Sequence, residues 1–181
     1  MTRQSILARL SLPVSDRDHV QGPASAPVTL VEYGDYECPY CGEAFYVVKE
    51  LQTRLGENLR FVFRNFPLAM MHPHAEHAAE AAELAGAHRK FWEMHDMLYE
   101  NQQALADDDL VGYAAALDVE PTRFARELAE HAQAARVRED FLSGARSGVN
   151  GTPTFFINGL RHDGPFDLMS LLAAVQEIAE A

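Results

Sequence analysis

The sequence predicts an α/β fold in which a β-α-β unit, a block of helices and a β-β-α unit follow one another. Three observations predict it. Two β-rich runs, "VTLVEYG" at 28–34 and "LRFVFRN" at 59–65, flank a stretch with helical apolar spacing. Residues 72–147 are helical by pattern, open Ala-rich and show no strand among them. Strand character returns at "TPTFFING", 152–159, and an apolar helical segment closes the chain. A length of 181 residues suits one domain carrying an insertion and is enough to bury a normal core.

Each element has its own signal. Residues 1–27 include "PVSDRDHVQGPASAP", rich in Pro, Gly, Ser and Asp, and read as an extended lead-in. The near-continuous apolar run at 28–34 reads as a buried central strand. Pro39 suits a first helical turn. Phe45, Val48, Leu51 and Leu55 then share a face, with Gln52 as its polar lapse, and Gly56 stops the helix. Leu59, Phe61 and Phe63 alternate with Arg60 and Arg64, so a parallel strand should follow a right-handed crossover. In 72–147 we read three to four helices, the last one running through "EPTRFARELAEHAQAARVREDFLSGARSG", with Phe124, Leu128, Ala135 and Leu142 at helical spacing. Asn158-Gly159 is a two-residue hairpin signal, "LRHDG" is its return strand, and Asp167 caps the last helix. The expected division is a core of 28–71 and 148–181 around the 72–147 insertion.

Charge and composition exclude several classes. The net charge of −12, from 27 acidic and 15 basic residues, argues against a nucleic acid or an anionic membrane surface as partner. No stretch reaches the roughly 18 to 20 apolar residues that a membrane span needs. Arg9 breaks the apolar run near the start, so no clean signal-peptide core forms. The expected location is cytoplasmic, or periplasmic or secreted if an export signal has been removed. Two cysteines are too few for a disulfide framework, and in a reducing compartment a close pair reads as catalytic or metal-binding.

Both cysteines lie in "ECPYCG", where a central strand ends and a helix begins. A helix N-terminus offers free N–H groups and a positive dipole end, and both favour thiolate over thiol. Cys38, at the helix start, is the expected nucleophile. Cys41, one turn inward, is the expected resolving thiol. The pair itself carries the electrons, so no metal or organic cofactor is expected. Zinc held by the cysteines and "HPHAEH" (His72, His74, His77) is the rival chemistry, but only His72 and His77 are suitably spaced. His95 and His131 read as ordinary helix histidines, and Asp107, Asp108 and Asp109 as a solvated helix start. A non-enzymatic redox-sensing or partner-binding module is the other alternative.

"VTLVEYGDYECPYC", "FRNFPL" and "GVNGTPTFFING" resemble the DsbA-like branch of the thioredoxin-fold dithiol–disulfide oxidoreductases. The resemblance runs from about residue 18 to the C-terminus. It implies a thioredoxin fold with an α-helical insertion, and a cis Thr152–Pro153 bond beside the cysteines. It implies that Thr152 and Pro153 form a substrate-binding edge that pairs with an extended segment. It also implies a buried acid at Glu32, which would handle protons for the resolving thiol; a solvent-facing residue at a sheet end is the alternative. The chain departs from the periplasmic members in showing no export signal and in its Pro39-Tyr40 dipeptide. The string "CPYC" also occurs in glutaredoxins. The expected partners are therefore cysteine-containing proteins, with glutathione or another small thiol as electron partner. Tyr40 either tunes the redox poise or simply packs over the disulfide, and such surface packing is the preferred reading.

Overall fold

The computed structural model describes residues 8–180. Five strands form one sheet in the order β1-β3-β2-β4-β5. They are β1 (His19–Gln21), β2 (Val28–Gly34), β3 (Leu59–Asn65), β4 (Thr154–Ile157) and β5 (Leu160–His162). β2 and β3 pair in parallel and the other neighbours antiparallel. Helix α1 (Pro39–Leu55) makes the crossover between β2 and β3, and α7 (Leu168–Glu180) follows the closing hairpin. This is a thioredoxin fold carrying an all-helical segment between β3 and β4.

The local signals for the core elements hold. Pro39 occupies the first turn of α1, and Gly56 ends the helix at φ +52°. Asn158 and Gly159 both have positive φ, as a tight two-residue hairpin requires. Asp167 accepts the Ser170 N–H at 3.0 Å and caps α7.

The N-terminal segment differs from the extended lead-in. His19–Gln21 form an edge strand in register with Phe61–Phe63. At the opposite edge the Leu10 N–H donates to Gly159 O, and the Arg161 N–H to Ala8 O. The segment thus crosses one face of the sheet and pairs with both edges. A three-residue strand is too short to show a period, and this one carries little apolar character.

The helical segment contains five helices rather than three to four. They are α2 (Ala75–Gly86), α3 (Phe91–Glu100), α4 (Asp107–Ala116), α5 (Pro121–Ala129) and α6 (Ala134–Arg146). The unforeseen break falls at His131, between α5 and α6. Arg89, Asp118 and His131 each follow a helix with positive φ, at 61°, 60° and 53°. Non-glycine residues take the left-handed turns here, so the usual glycine stop signal is missing. Leu142 also fails to join the core and is exposed on α6.

Strand alternation divides the interior between the two sheet faces. Val28, Leu30, Leu59, Phe61 and Phe63 pack toward α1, α7 and the α2–α5 helices. Val31, Tyr33, Val62 and Phe156 form the smaller opposite core, covered by Leu10, Val14 and Phe141.

Candidate active site

The C-terminal end of β2 delivers the chain to the N-terminus of α1, and both thiols lie at this junction. Cys38 is the N-cap residue of α1, and Cys41 lies one turn further along. Neither thiol is bonded to the other. Cys38 is 4% exposed and Cys41 is fully buried.

The two thiols have opposite electrostatics. The Cys38 thiol is lowered to about 5, first by a hydrogen bond from Cys41. Burial opposes this, while the Thr152 side chain and the backbone N–H groups of Cys41 and Tyr40 add to it. Burial pushes the Cys41 thiol well above its ordinary value, and its bond to Cys38 and the charges of Glu32 and Cys38 push it further. A thiolate at Cys38 and a protonated thiol at Cys41 are therefore the stable reduced pair.

The Thr152–Pro153 peptide is cis. As a thiol, Cys38 donates to Thr152 O at 3.6 Å. The Thr152 hydroxyl is buried and has no other partner among the described residues. Pro153 lines a cavity of about 180 Å³ that continues past Arg161 and His162 to Phe166.

Glu32 is buried on the α1 side of β2, not solvent-facing. Burial raises its carboxyl to about 8, and the Cys38 thiolate adds to the shift. Its Oε1 has no hydrogen-bond partner among the described residues. The buried Tyr36 and Tyr99 hydroxyls also lack one. Tyr40 is 61% exposed.

Three residues that the sequence reading passed over support the thiols. Asp35 follows β2 and is almost fully buried. Its Oδ1 accepts the N–H groups of Glu37 and Cys38, at 2.8 and 3.2 Å. Its Oδ2 takes Leu68 N–H and the His72 ring, each at 2.8 Å, while its own N–H points to the Cys41 sulfur at 3.4 Å. An Asp two residues before the turn's N–H groups is a local Asx signature, visible in "GDYEC". Gln102, from the helical segment, donates to both Tyr36 O and Cys38 O at 2.9 Å. A Cβ at Gly42 would lie 2.2 Å from the Gln102 Oε1 and push that side chain off these carbonyls. No sequence-local signal links position 102 to position 38. His72 turns to Asp35, not to the cysteines. Among the described residues, the one cluster of three metal-ligating side chains holds neither thiol.

A thioredoxin fold with a C-x-x-C pair at the α1 N-terminus, facing a Thr-Pro loop, defines the dithiol–disulfide class of thioredoxin-like proteins. The chain belongs to the thioredoxin family, whose family model, described as thioredoxin, matches residues 14–177. Its architecture is shared by solved thioredoxin-fold proteins. BdbD from Bacillus subtilis superposes with a TM-score of 0.86 at 23% identity, covering 96% of this chain and 99% of that one. The α-DsbA1 protein of Wolbachia pipientis superposes at 0.79 with 19% identity, covering 94% of each chain. Among curated relatives, the Na(+)/H(+) antiporter NhaA 1 of Salinispora arenicola is 53% identical over 92% of this chain but only 26% of its own length. The chain thus spans about a quarter of the curated relatives it matches. No helix among the described residues is long and apolar enough to cross a membrane.

Proposed function

We propose that the chain is a thiol–disulfide oxidoreductase for cysteine-containing proteins, with Cys38 as nucleophile and Cys41 as resolving thiol. One observation carries this reading: two thiols one helical turn apart, one lowered to about 5 and the other raised well above its ordinary value. The Cys38 thiolate attacks a substrate disulfide sulfur, the substrate's S–S bond breaks, and its second sulfur leaves as a thiolate. Cys41 then loses its proton and attacks the Cys38 sulfur. The Cys38–Cys41 bond forms, the mixed-disulfide bond breaks, and the substrate sulfur that Cys38 attacked leaves as a thiolate. In the oxidising direction each step reverses.

Glu32 supplies the proton acceptor for the second step. Its carboxyl is raised partly by the Cys38 charge. That charge disappears when Cys38 enters the mixed disulfide, so Glu32 becomes a stronger acid and releases its own proton to solvent, and the carboxylate left behind takes the proton that Cys41 gives up. Thr152 and Pro153 form the seat for an extended substrate segment beside Cys38. Tyr40, exposed at the rim, contacts the substrate rather than the protein interior.

The thiolate bears on the direction of electron flow. A nucleophilic cysteine near 5 lies between the roughly 3.5 of a strong oxidant and the roughly 7 of a thioredoxin-type reductant. A stabilised thiolate favours the reduced form and makes the disulfide the more oxidising partner. Where the pair falls in a potential range running from about −270 to −120 mV is what its equilibrium against a glutathione buffer measures. Glutathione or another small thiol is the proposed electron partner to compare with protein dithiols. An oxidising pair suits an oxidising compartment, so its potential also bears on the choice between a cytoplasmic and a periplasmic or secreted location. The transport activity named for the antiporter relatives is not part of this reading.

Two measurements test it. Thiolate absorbance near 240 nm should titrate with a midpoint about 5. Cys41→Ser should accumulate mixed disulfides with a reducible protein such as insulin, and Cys38→Ser should form none. A Cys38 midpoint at the ordinary value, or no insulin turnover by folded, metal-free protein, would sink the proposal.

A further inference from the structure

A second cluster of reactive side chains lies away from the thiols, on the helical segment. His77 and Glu80 stand three residues apart on α2 and share a face. His131 reaches the same spot from the turn between α5 and α6. One potential ligand atom from each of the three lies within 4.8 Å of the others.

The cluster has features that a chance surface grouping lacks. The Glu80 side chain is 4% exposed, and its Oε2 is buried without a hydrogen-bond partner among the described residues. Leaving a buried carboxylate oxygen bare is costly unless something meets it. Its other oxygen, Oε1, lies 2.9 Å from His131 Nδ1. Tetrahedral zinc with ligands at 2.0–2.2 Å sets neighbouring ligand atoms about 3.3 Å apart, so this pair is already near co-ligand spacing. His77 Nδ1 lies 2.6 Å from Asp107 Oδ1. That contact favours the tautomer with its lone pair on Nε2, the carboxylate–histidine arrangement that orients metal-bound imidazoles. The His77 and His131 rings are 5.0 Å apart, centre to centre.

We propose that His77, Glu80 and His131 form a binding site for a divalent transition metal of the zinc type, with Asp107 as the orienting partner of His77. Two imidazoles and one carboxylate match such an ion, and three protein ligands leave one coordination position open. Glu80 and His131 also line a groove of about 530 Å³, which gives the ion a route in. The ion would clamp α2 to the α5–α6 turn. The site departs from the expectation that the chain holds no metal. The histidine run around His77 supplies one ligand of the proposed site, whose partners come from other parts of the chain, and neither cysteine joins them.

The test must keep the thiols from binding the metal. Protein with the Cys38–Cys41 disulfide formed is titrated calorimetrically with zinc chloride, and with cobalt(II) for its visible absorption. The expected result is one ion per chain with a dissociation constant of about 10 μM or tighter. Tm should rise about 5 °C when the ion is in hundredfold excess over that constant. His131→Asn, which keeps a residue that tolerates the left-handed turn, should weaken binding at least tenfold. Asp107→Asn, outside the ligand set, should weaken it about tenfold. His88→Ala, at an exposed imidazole elsewhere, should change nothing. Binding no tighter than about a millimolar, or wild-type affinity retained in His131→Asn, overturns the site.

Discussion

Glu32 and Arg64 sit on neighbouring strands but on opposite faces of the sheet. Glu32 is in register with Phe63, and Arg64 with Tyr33. Both are almost completely buried. Arg64 has every need met. Its guanidinium grips Asp18 through two bonds of 2.8 and 3.0 Å. It also donates to Leu12 O and the Tyr33 hydroxyl, each at 2.9 Å, and to Pro13 O at 3.2 Å. Glu32 has a bare Oε1 and a carboxyl raised to about 8. The difference separates two uses of a buried charge. With all partners present the ion stays charged and anchors a segment. Without them it takes up a proton, and that proton becomes available for chemistry.

The largest effect should come from breaking the satisfied side. Burial alone would raise Asp18, but its bonds to Arg64 hold it below the ordinary carboxylate value. Arg64→Met leaves Asp18 buried and unpaired, and should cost about 3–5 kcal/mol. In urea the midpoint should fall, and Tm should drop by roughly 10 °C. Adding Asp18→Asn should recover much of the loss, because the unpaired charge then goes. The thiolate titration should stay where it was, since Arg64 lies across the sheet from Cys38. A loss under about 1 kcal/mol would show that Asp18 finds water instead.

Glu32→Gln should move stability the other way, in a defined pH window. Below about 4.5 both folded and unfolded chains keep the Glu32 proton, and the variant gains nothing. Between 4.5 and about 8 only the unfolded chain releases it, so wild type loses stability relative to the variant as pH rises. The variant's advantage should reach a few kcal/mol near pH 8, on the order of the shift itself. Resolution of a mixed disulfide should slow about 10–100-fold at pH 7 as the proton acceptor is lost. If the pH dependence of resolution is unchanged, Glu32 has no part in moving that proton.

The same contrast explains what the sequence could reveal. β2, β3 and α1 were legible because residues like Phe61, Phe63 and Val48 repeat with the period of their element. The cysteine pair was legible because its chemistry needs only a short local spacing. The place of Glu32 in a strand could be read. Its burial rested on the family resemblance, and its partnerless oxygen depends on how α1 and the helical segment pack over it. The Arg64–Asp18 pair was hidden because Asp18 lies in a segment without periodicity, 46 residues away. His131 was hidden twice: it ends a helix without glycine, and its carboxylate partner Glu80 is 51 residues away.

Asp35 sharpens the comparison, because it is a fully partnered acid at the thiol end of the strand that carries Glu32. One of its four donors is His72, whose ring lies 2.8 Å away and whose side chain is partly open to water. Burial pulls the His72 imidazole down, but its bond to Asp35 and the charges of Asp35, Cys38 and Glu37 raise it above its ordinary value. A raised histidine adds stability that is fully present below its unfolded value near 6.5 and fades as pH rises through the folded one. His72→Gln should therefore cost stability at acid pH and little at alkaline pH. Because the pair is partly exposed, the loss should stay at or below about 1 kcal/mol. Cys38 titrates near 5, where His72 is charged, so removing that charge should move the thiolate midpoint slightly upward. Denaturation at pH 5 and pH 9, with thiolate absorbance on the same samples, checks both effects. A variant equally destabilised at both pH values, with an unmoved thiolate, would make His72 a packing residue with no electrostatic hold on Cys38.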